Sequence, residues 1–327
     1  MENRPRGRLA SGRRPGDTSS PTPRQLPGVV LYDGERRAAI ARRVRRGELA
    51  RVRRGRYVTP TAVDRGQALQ REARVLAMTA AVATSLRTEY WFSHETAALL
   101  HGLAVHGLRE QVHVTHAWRP PSREAVGIPL VRHAVALPER DRAVVLGRPV
   151  TSLERTMVDC ARLLPGARAL VVADSALRAG ADLDLVATIL EEAAGHRGVR
   201  QARRVVGLAD VRAESPGESI LRWIVHEAQL DAPELAVEAT TWRGTYWIDV
   251  AWPDLTVGIE FDGAVKYSGG RYGDPRQRLL EEKQRHDALT EAGWVLLRVT
   301  WDDLRRPDLL VARIRAALTS ARARRGR

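Results

Sequence analysis

Cysteine is almost absent from this 327-residue chain, with Cys160 the sole example. One thiol excludes an internal disulfide framework and any cysteine-based zinc cage, and it fits a reducing compartment. Cys160 itself reads as a buried core residue. Long apolar runs are missing too: no stretch approaches the roughly 18 apolar residues that a membrane span needs. The Met1-Glu2-Asn3-Arg4-Pro5 start has no apolar signal core. The expectation is a soluble, cytoplasmic protein without a membrane partner. A phosphate-binding glycine loop, a Gly-x-Ser-x-Gly elbow and a repeat of about 20 to 50 residues are also lacking, which argues against nucleotide-loop, α/β-hydrolase and solenoid architectures.

Lysine is the other scarcity. Of 53 basic residues only Lys266 and Lys283 are lysine, and the other 51 are arginine. Arginine holds its proton and cannot act as a compact point charge, so a catalytic role is a physical reason to keep lysine at these two places. The excess of base gives a formal charge of +14 and a pI near 11.0. Such a charge attracts polyanions by neutralising phosphates and releasing counterions, so DNA is the expected partner. An arginine-rich composition inherited from a GC-rich genome is the competing explanation.

Composition divides the chain into four parts. Residues 1–27 are rich in Arg, Pro, Gly and Ser and read as a disordered basic tail. Residues 28–65 hold a basic helical stretch, Glu35 to Arg46, with Ala39, Ile40 and Val44 on one stripe and Gly47 as its stop. A basic hairpin from Leu49 to Val58 follows. The order is that of a recognition helix and wing, and Arg42, Arg43, Arg45, Arg46, Arg51, Arg53, Arg54 and Arg56 are its candidate DNA contacts. A solvated basic helix capping the next domain is the alternative. Residues 66–205 are an α+β middle region, with helices expected at Gln67 to Ser85, Ser93 to Gly102, Ser152 to Leu164 and Ala167 to Arg178. Strand-like pieces lie near Gln111 to Thr115 and Pro129 to His133. Histidines 94, 101, 106, 113 and 116 invite a metal reading, but His113 and His116 fall on opposite faces of a strand and His94 and His101 lie two helical turns apart. Core or surface positions are the expectation for them.

Residues 206–327 carry the chemistry. Ser215 as cap, Pro216 at the first helical position and Glu218 three residues on make a helix start, so a capping role explains Glu218 as fully as a place in a metal site. Thr245 to Trp252 alternates in strand fashion, Pro253-Asp254 turns the chain, and Thr256 to Gly263 returns with Val257, Ile259 and Phe261 on one face. The hairpin would gather Asp249, Glu260 and Asp262. Carboxylates at half-buried strand positions need a compensating cation. A divalent metal is the simplest, and a salt bridge to Arg298 is the alternative. Asp274 to Ala292 reads as a helix ended by Gly293, Trp294 to Trp301 as a strand, and Arg306 to Ala321 as a closing basic helix.

Two resemblances follow. Gly47-Glu48-Leu49 with Arg51 to Tyr57 resembles the winged-helix segment of AbiEi-family antitoxins, although the first helices of a full helix-turn-helix have no room here. The blocks Ser93 to Gly102 and Thr151 to Asp159 are similar to the body of those proteins, a scaffold for interaction or regulation. Asp249, Glu260-Phe261-Asp262-Gly263, Lys266-Tyr267, Glu282-Lys283 and the Gly293 to Arg298 strand resemble the PD-(D/E)XK superfamily, near the very-short-patch-repair endonucleases. The implied fold is α/β: a restriction-endonuclease-like sandwich preceded by a partial winged helix and an α+β middle domain. The implied activity is DNA cleavage with Mg2+ or Mn2+ held by Asp249 and Glu260 with Asp262 or Glu218. The family lysine two residues after the glutamate is Asp262 here, so Lys266 or Lys283 would have to supply the ammonium. The alternative is a DNA-binding antitoxin or regulator with a cognate toxin partner and an inactive nuclease-like domain.

Overall fold

The computed structural model describes residues 20–60, 66–118, 128–263 and 275–326. Two compact units divide between Ala209 and Asp210.

In the first unit, three short strands, β1 (Val29–Leu31), β2 (Ala50–Arg53) and β3 (Arg56–Val58), form an antiparallel sheet in the order β1-β3-β2. Helix α1 (Arg37–Arg45) lies between β1 and β2 and buries Ile40 alone. Val44, expected on the buried stripe, is exposed. After α2 (Gln67–Ala83) comes a five-stranded sheet of β4 (Trp91–Phe92), β5 (Val112–His116), β6 (Leu130–Ala134), β7 (Arg142–Val145) and β8 (Arg148–Thr151), in the order β6-β5-β4-β8-β7. Helix α3 (His94–His101) connects β4 and β5, and α4 (Leu153–Leu163), α5 (Gly166–Arg178), α6 (Leu183–Glu192) and α7 (Val199–Leu208) follow β8.

The expected helix starts are real. The Ser152 hydroxyl accepts the Arg155 amide at 3.2 Å and so satisfies one orphan donor of α4. Helix α3 ends at Gly102, whose φ of +84 favours glycine; an added Cβ would also stand 2.1 Å from the Thr22 carbonyl oxygen. Cys160 is buried in α4, and burial pushes its thiol well up. Arg155 of the same helix is also buried, bound to Asp141 at 2.9 Å and Asp159 at 3.0 Å, so its charge is matched where water is excluded. Helices α6 and α7 and strands β4, β7 and β8 lay outside the sequence expectations, although Asp182 caps α6 by accepting from the Asp184 and Leu185 amides.

The second unit opens with α8 (Pro216–Glu227) and continues with β9 (Glu234–Thr241), β10 (Gly244–Trp252), β11 (Val257–Asp262), α9 (Pro275–Glu291), β12 (Val295–Thr300), α10 (Trp301–Leu304) and α11 (Pro307–Arg325). The sheet order is β12-β11-β10-β9. Strands β9, β10 and β11 are antiparallel neighbours, and β12 runs parallel to β11. Tyr246 and Ile248 of β10 pack with Ala239 of β9 and with Ala288 and Leu289 of α9. Phe261 meets Trp301 edge-on at 5.0 Å. Its ring also lies over Gly217, where an added Cβ would approach to 2.2 Å, so a helix can pass this close to the strand only with glycine there.

Candidate functional site

The acids of the second unit meet through strand register. Val250 pairs with Ile259 and Ala251 with Gly258, which sets Asp249 opposite Glu260 on neighbouring strands. Asp249 Oδ2 accepts the Phe261 amide at 2.8 Å. The β9–β10 ladder is interrupted at Asp249, and Ala236 of β9, the residue that the register sets opposite, has a left-handed φ of 50. A non-glycine residue in that region carries strain and marks a local distortion of the sheet beside the acids.

Helix α8 brings Glu218 to the same place. Its carboxylate accepts the Glu214 amide at 2.8 Å and the Ser215 hydroxyl at 2.7 Å, while the Ser215 hydroxyl accepts the Glu218 amide at 3.2 Å. The capping role is therefore present. It is not the whole environment: burial and then the Asp249 charge push the Glu218 carboxyl up to about 7. Glu260 is also raised, by burial first and with Asp249 contributing, against the opposing pull of Arg285.

Arg285 is the cation that sequence reasoning missed. It reaches from α9, lies 2.8 Å from Glu260 Oε1, and donates to the Trp247 carbonyl at 2.6 Å. Arg298, the expected partner, is in register beside Glu260 on β12, but its guanidinium pairs with Glu282. A helical pattern could have flagged Arg285, three residues before buried Ala288, yet nothing in the sequence gives the docking angle of α9.

The remaining candidates are placed as follows. Asp262 ends β11, half-buried and in register with Thr300; the charges that act on Glu260 are Arg285, Asp249, Arg298 and His286, with Asp262 not among them. Lys283 is exposed on α9, two residues before Arg285 and so on a different side of the helix. Lys266 lies outside the described residues. In the first unit Arg53 donates to the Ser85 hydroxyl at 3.1 Å and Arg56 to the Thr84 hydroxyl at 3.0 Å, which ties the hairpin to the end of α2. Arg43 and Arg46 pair with Glu48 at 3.3 and 3.8 Å, and Arg51 donates to the Arg53 carbonyl at 3.4 Å. Arg42, Arg45 and Arg54 are exposed and stand outside the ion pairs of the described residues. Arg42, Arg43 and Arg45 also fall in the last turn of α1, where cations offset the helix dipole without any DNA.

The donor set fits a hard divalent cation in kind. Asp249, Glu260 and Glu218 offer carboxylate oxygens, and Glu260 Oε1 is buried without a hydrogen bond, its 2.8 Å approach to Arg285 being an ion pair of poor hydrogen-bond geometry.

Comparison with known proteins bears on the first unit. Residues 91–211 match the AbiEi antitoxin C-terminal domain. The matched segment runs from β4 to just past α7 and includes both blocks on which the resemblance rested. Two relatives from Mycobacterium tuberculosis strains, the uncharacterized proteins Rv2248 and MT2308, are each 35% identical over 181 residues, 54% of this chain and 65% of theirs. The match thus spans less than two thirds of those relatives. The crystal structure of RV2827C protein from Mycobacterium tuberculosis is similar at a TM-score of 0.35 and 15% identity, covering 59% of this chain and 75% of that one. The architecture is mixed α/β, and no helix among the described residues is long and apolar enough to cross a membrane.

Proposed function

We propose that the protein is a DNA-binding regulator of the antitoxin type, cytoplasmic and working with a cognate toxin, whose C-terminal unit is a PD-(D/E)XK-like domain with its acidic pole neutralised from within. The observation that carries this reading is the AbiEi antitoxin match over residues 91–211. Two further features support it. Glu260 is paired to Arg285 within the chain, and the position of the motif lysine holds Asp262. The exposed Arg42, Arg45 and Arg54 are the side chains of the basic segment with most freedom to meet phosphate.

A second reading, a metal-dependent DNA endonuclease, is favoured by one observation: burial first, and then the neighbouring Asp249 charge, hold the Glu218 carboxyl up to about 7, as at a site built to receive a cation. Asp249, Glu260 and Glu218 would hold Mg2+ or Mn2+, which when bound supplies a Lewis acid and activates water for phosphodiester hydrolysis. Lys266 or Lys283 would orient the phosphate and Arg285 would have to release Glu260.

Plasmid, nicked, mismatched and single-stranded DNA incubated with the full chain and Mg2+ or Mn2+ separates the two. Salt-sensitive binding without cleavage is expected from a regulator. Cleavage that disappears in both Asp249→Ala and Glu260→Ala would establish the nuclease instead.

A further inference from the structure

Three histidines that the sequence scatters over 40 positions meet in the first unit. His94 begins α3 directly after β4, His113 lies in β5, and His133 lies in β6. β5 and β6 run parallel with His113 beside Val131 and Thr115 beside His133, so the two imidazoles share a face one diagonal step apart. Ser93, just before His94, donates its amide to the His113 carbonyl, which brings the start of α3 to the same edge. One ring nitrogen from each of the three lies within 4.8 Å of the others. His113 Nδ1 and His133 Nε2 are 3.0 Å apart, and the His94 and His133 rings stack at 3.8 Å.

The other histidines weighed in the sequence are engaged elsewhere. The ring of His101 bonds the Thr151 carbonyl at 2.8 Å and that of His116 the Glu89 carbonyl at 2.9 Å, while the His106 carbonyl accepts from Arg168. His133 was not among the sequence candidates, because its partners are 20 and 39 residues away and on other elements.

We propose that His94, His113 and His133 form a three-imidazole site for a borderline divalent transition metal of the zinc class. Imidazole suits zinc-like ions and not magnesium, and three such ligands with one open position is a known zinc arrangement. The 3.0 Å nitrogen separation is close to the roughly 3.3 Å edge of a tetrahedron with metal–nitrogen bonds of about 2.05 Å. His94 and His113 are buried and His133 is half-buried, so the cluster is largely shielded from solvent. With His113 Nδ1 turned inward, its Nε2–H faces the Glu95 carboxylate at 3.9 Å, the outer acceptor that orients a ligating histidine, while the Gln111 side-chain amide at 2.9 Å would have to present its oxygen and not its nitrogen to that ring N–H. Two of the nearby cations are matched by acids: Arg168 pairs with Glu95 at 2.7 Å, and Arg155 with Asp141 and Asp159. His94 also has a left-handed φ of 53, a strained backbone of the kind that functional sites retain.

The test is a titration of the chelator-stripped full chain with Co2+ and then Zn2+, in excess Mg2+ so that the acids of the second unit do not compete. One Co2+ per chain with the intense visible absorption of tetrahedral coordination, displaced by Zn2+, is expected. His133→Gln, at the half-buried corner, and His113→Gln should each weaken Zn2+ more than about 100-fold, beyond the roughly 10- to 100-fold typical of an outer partner such as Glu95. His101→Gln should leave it unchanged. Absence of stoichiometric Co2+ on the unmodified chain overturns the proposal, whatever the variants do. So does Zn2+ affinity unchanged in a His133→Gln chain whose circular dichroism is native.

Discussion

Replacing Glu218 by glutamine isolates the electrostatic cost of the acidic pole. Glutamine keeps the shape and can still accept at the third helical position, so the cap of α8 survives in large part. What disappears is the charge beside Asp249. The folded carboxyl titrates at about 7 against 4.5 for the free group, and at about 1.4 kcal/mol per pH unit that shift amounts to about 3 kcal/mol as an upper bound. A raised acid binds its proton more tightly when folded. The stabilisation is therefore complete below about pH 4.5 and is lost as pH rises through about 7. The unmodified unit should lose stability over that window, while Glu218→Gln should be flatter by up to about 3 kcal/mol and the more stable of the two at pH 8. Six of the eight tryptophans, Trp223, Trp242, Trp247, Trp252, Trp294 and Trp301, lie in this unit, so urea melts followed by tryptophan fluorescence in metal-free buffer report on it. Parallel stability curves for the two proteins from pH 4.5 to 8 would refute the reasoning, since they would mean that burial and the Asp249 charge do not hold the Glu218 carboxyl up.

Arg285→Met should cost about 3 kcal/mol at pH 8, because Glu260 then stays buried without its cation, and the loss should shrink toward pH 5 as Glu260 takes up a proton; adding Glu260→Gln should restore the melt. Gly217→Ala should lower stability by at least about 1–3 kcal/mol in the same urea assay, since its Cβ would meet the Phe261 ring at 2.2 Å, and a neutral result would show that α8 can move off the sheet. The triple change of Arg42, Arg45 and Arg54 to alanine should reduce the slope of log affinity for duplex DNA against log salt by about 2 to 3 with an unchanged fold, and an unaltered slope would place the DNA surface elsewhere.

The sequence by itself determined the local structure. The Ser215-Pro216-x-Glu218 start, the alternation of β10 and β11, the burial of Cys160 and the glycine stops at Gly102 and Gly293 each follow from torsional preference, capping or period, all of which act within a few residues. Antiparallel register was legible as well, because Asp249 and Glu260 are joined by a short turn that leaves one pairing. Only the tertiary structure decided which charge answers Glu260, that Glu218 crowds Asp249, and that His133 joins His94 and His113. Periodicity tells which side of an element faces inward, but not which element lies across from it. Arg298 was the expected partner of Glu260, and Arg285 takes that place only through the docking of α9. Val44 shows the same limit from the other side: its position on the helix is apolar in pattern, yet it is exposed, because a period does not supply a neighbour to cover it.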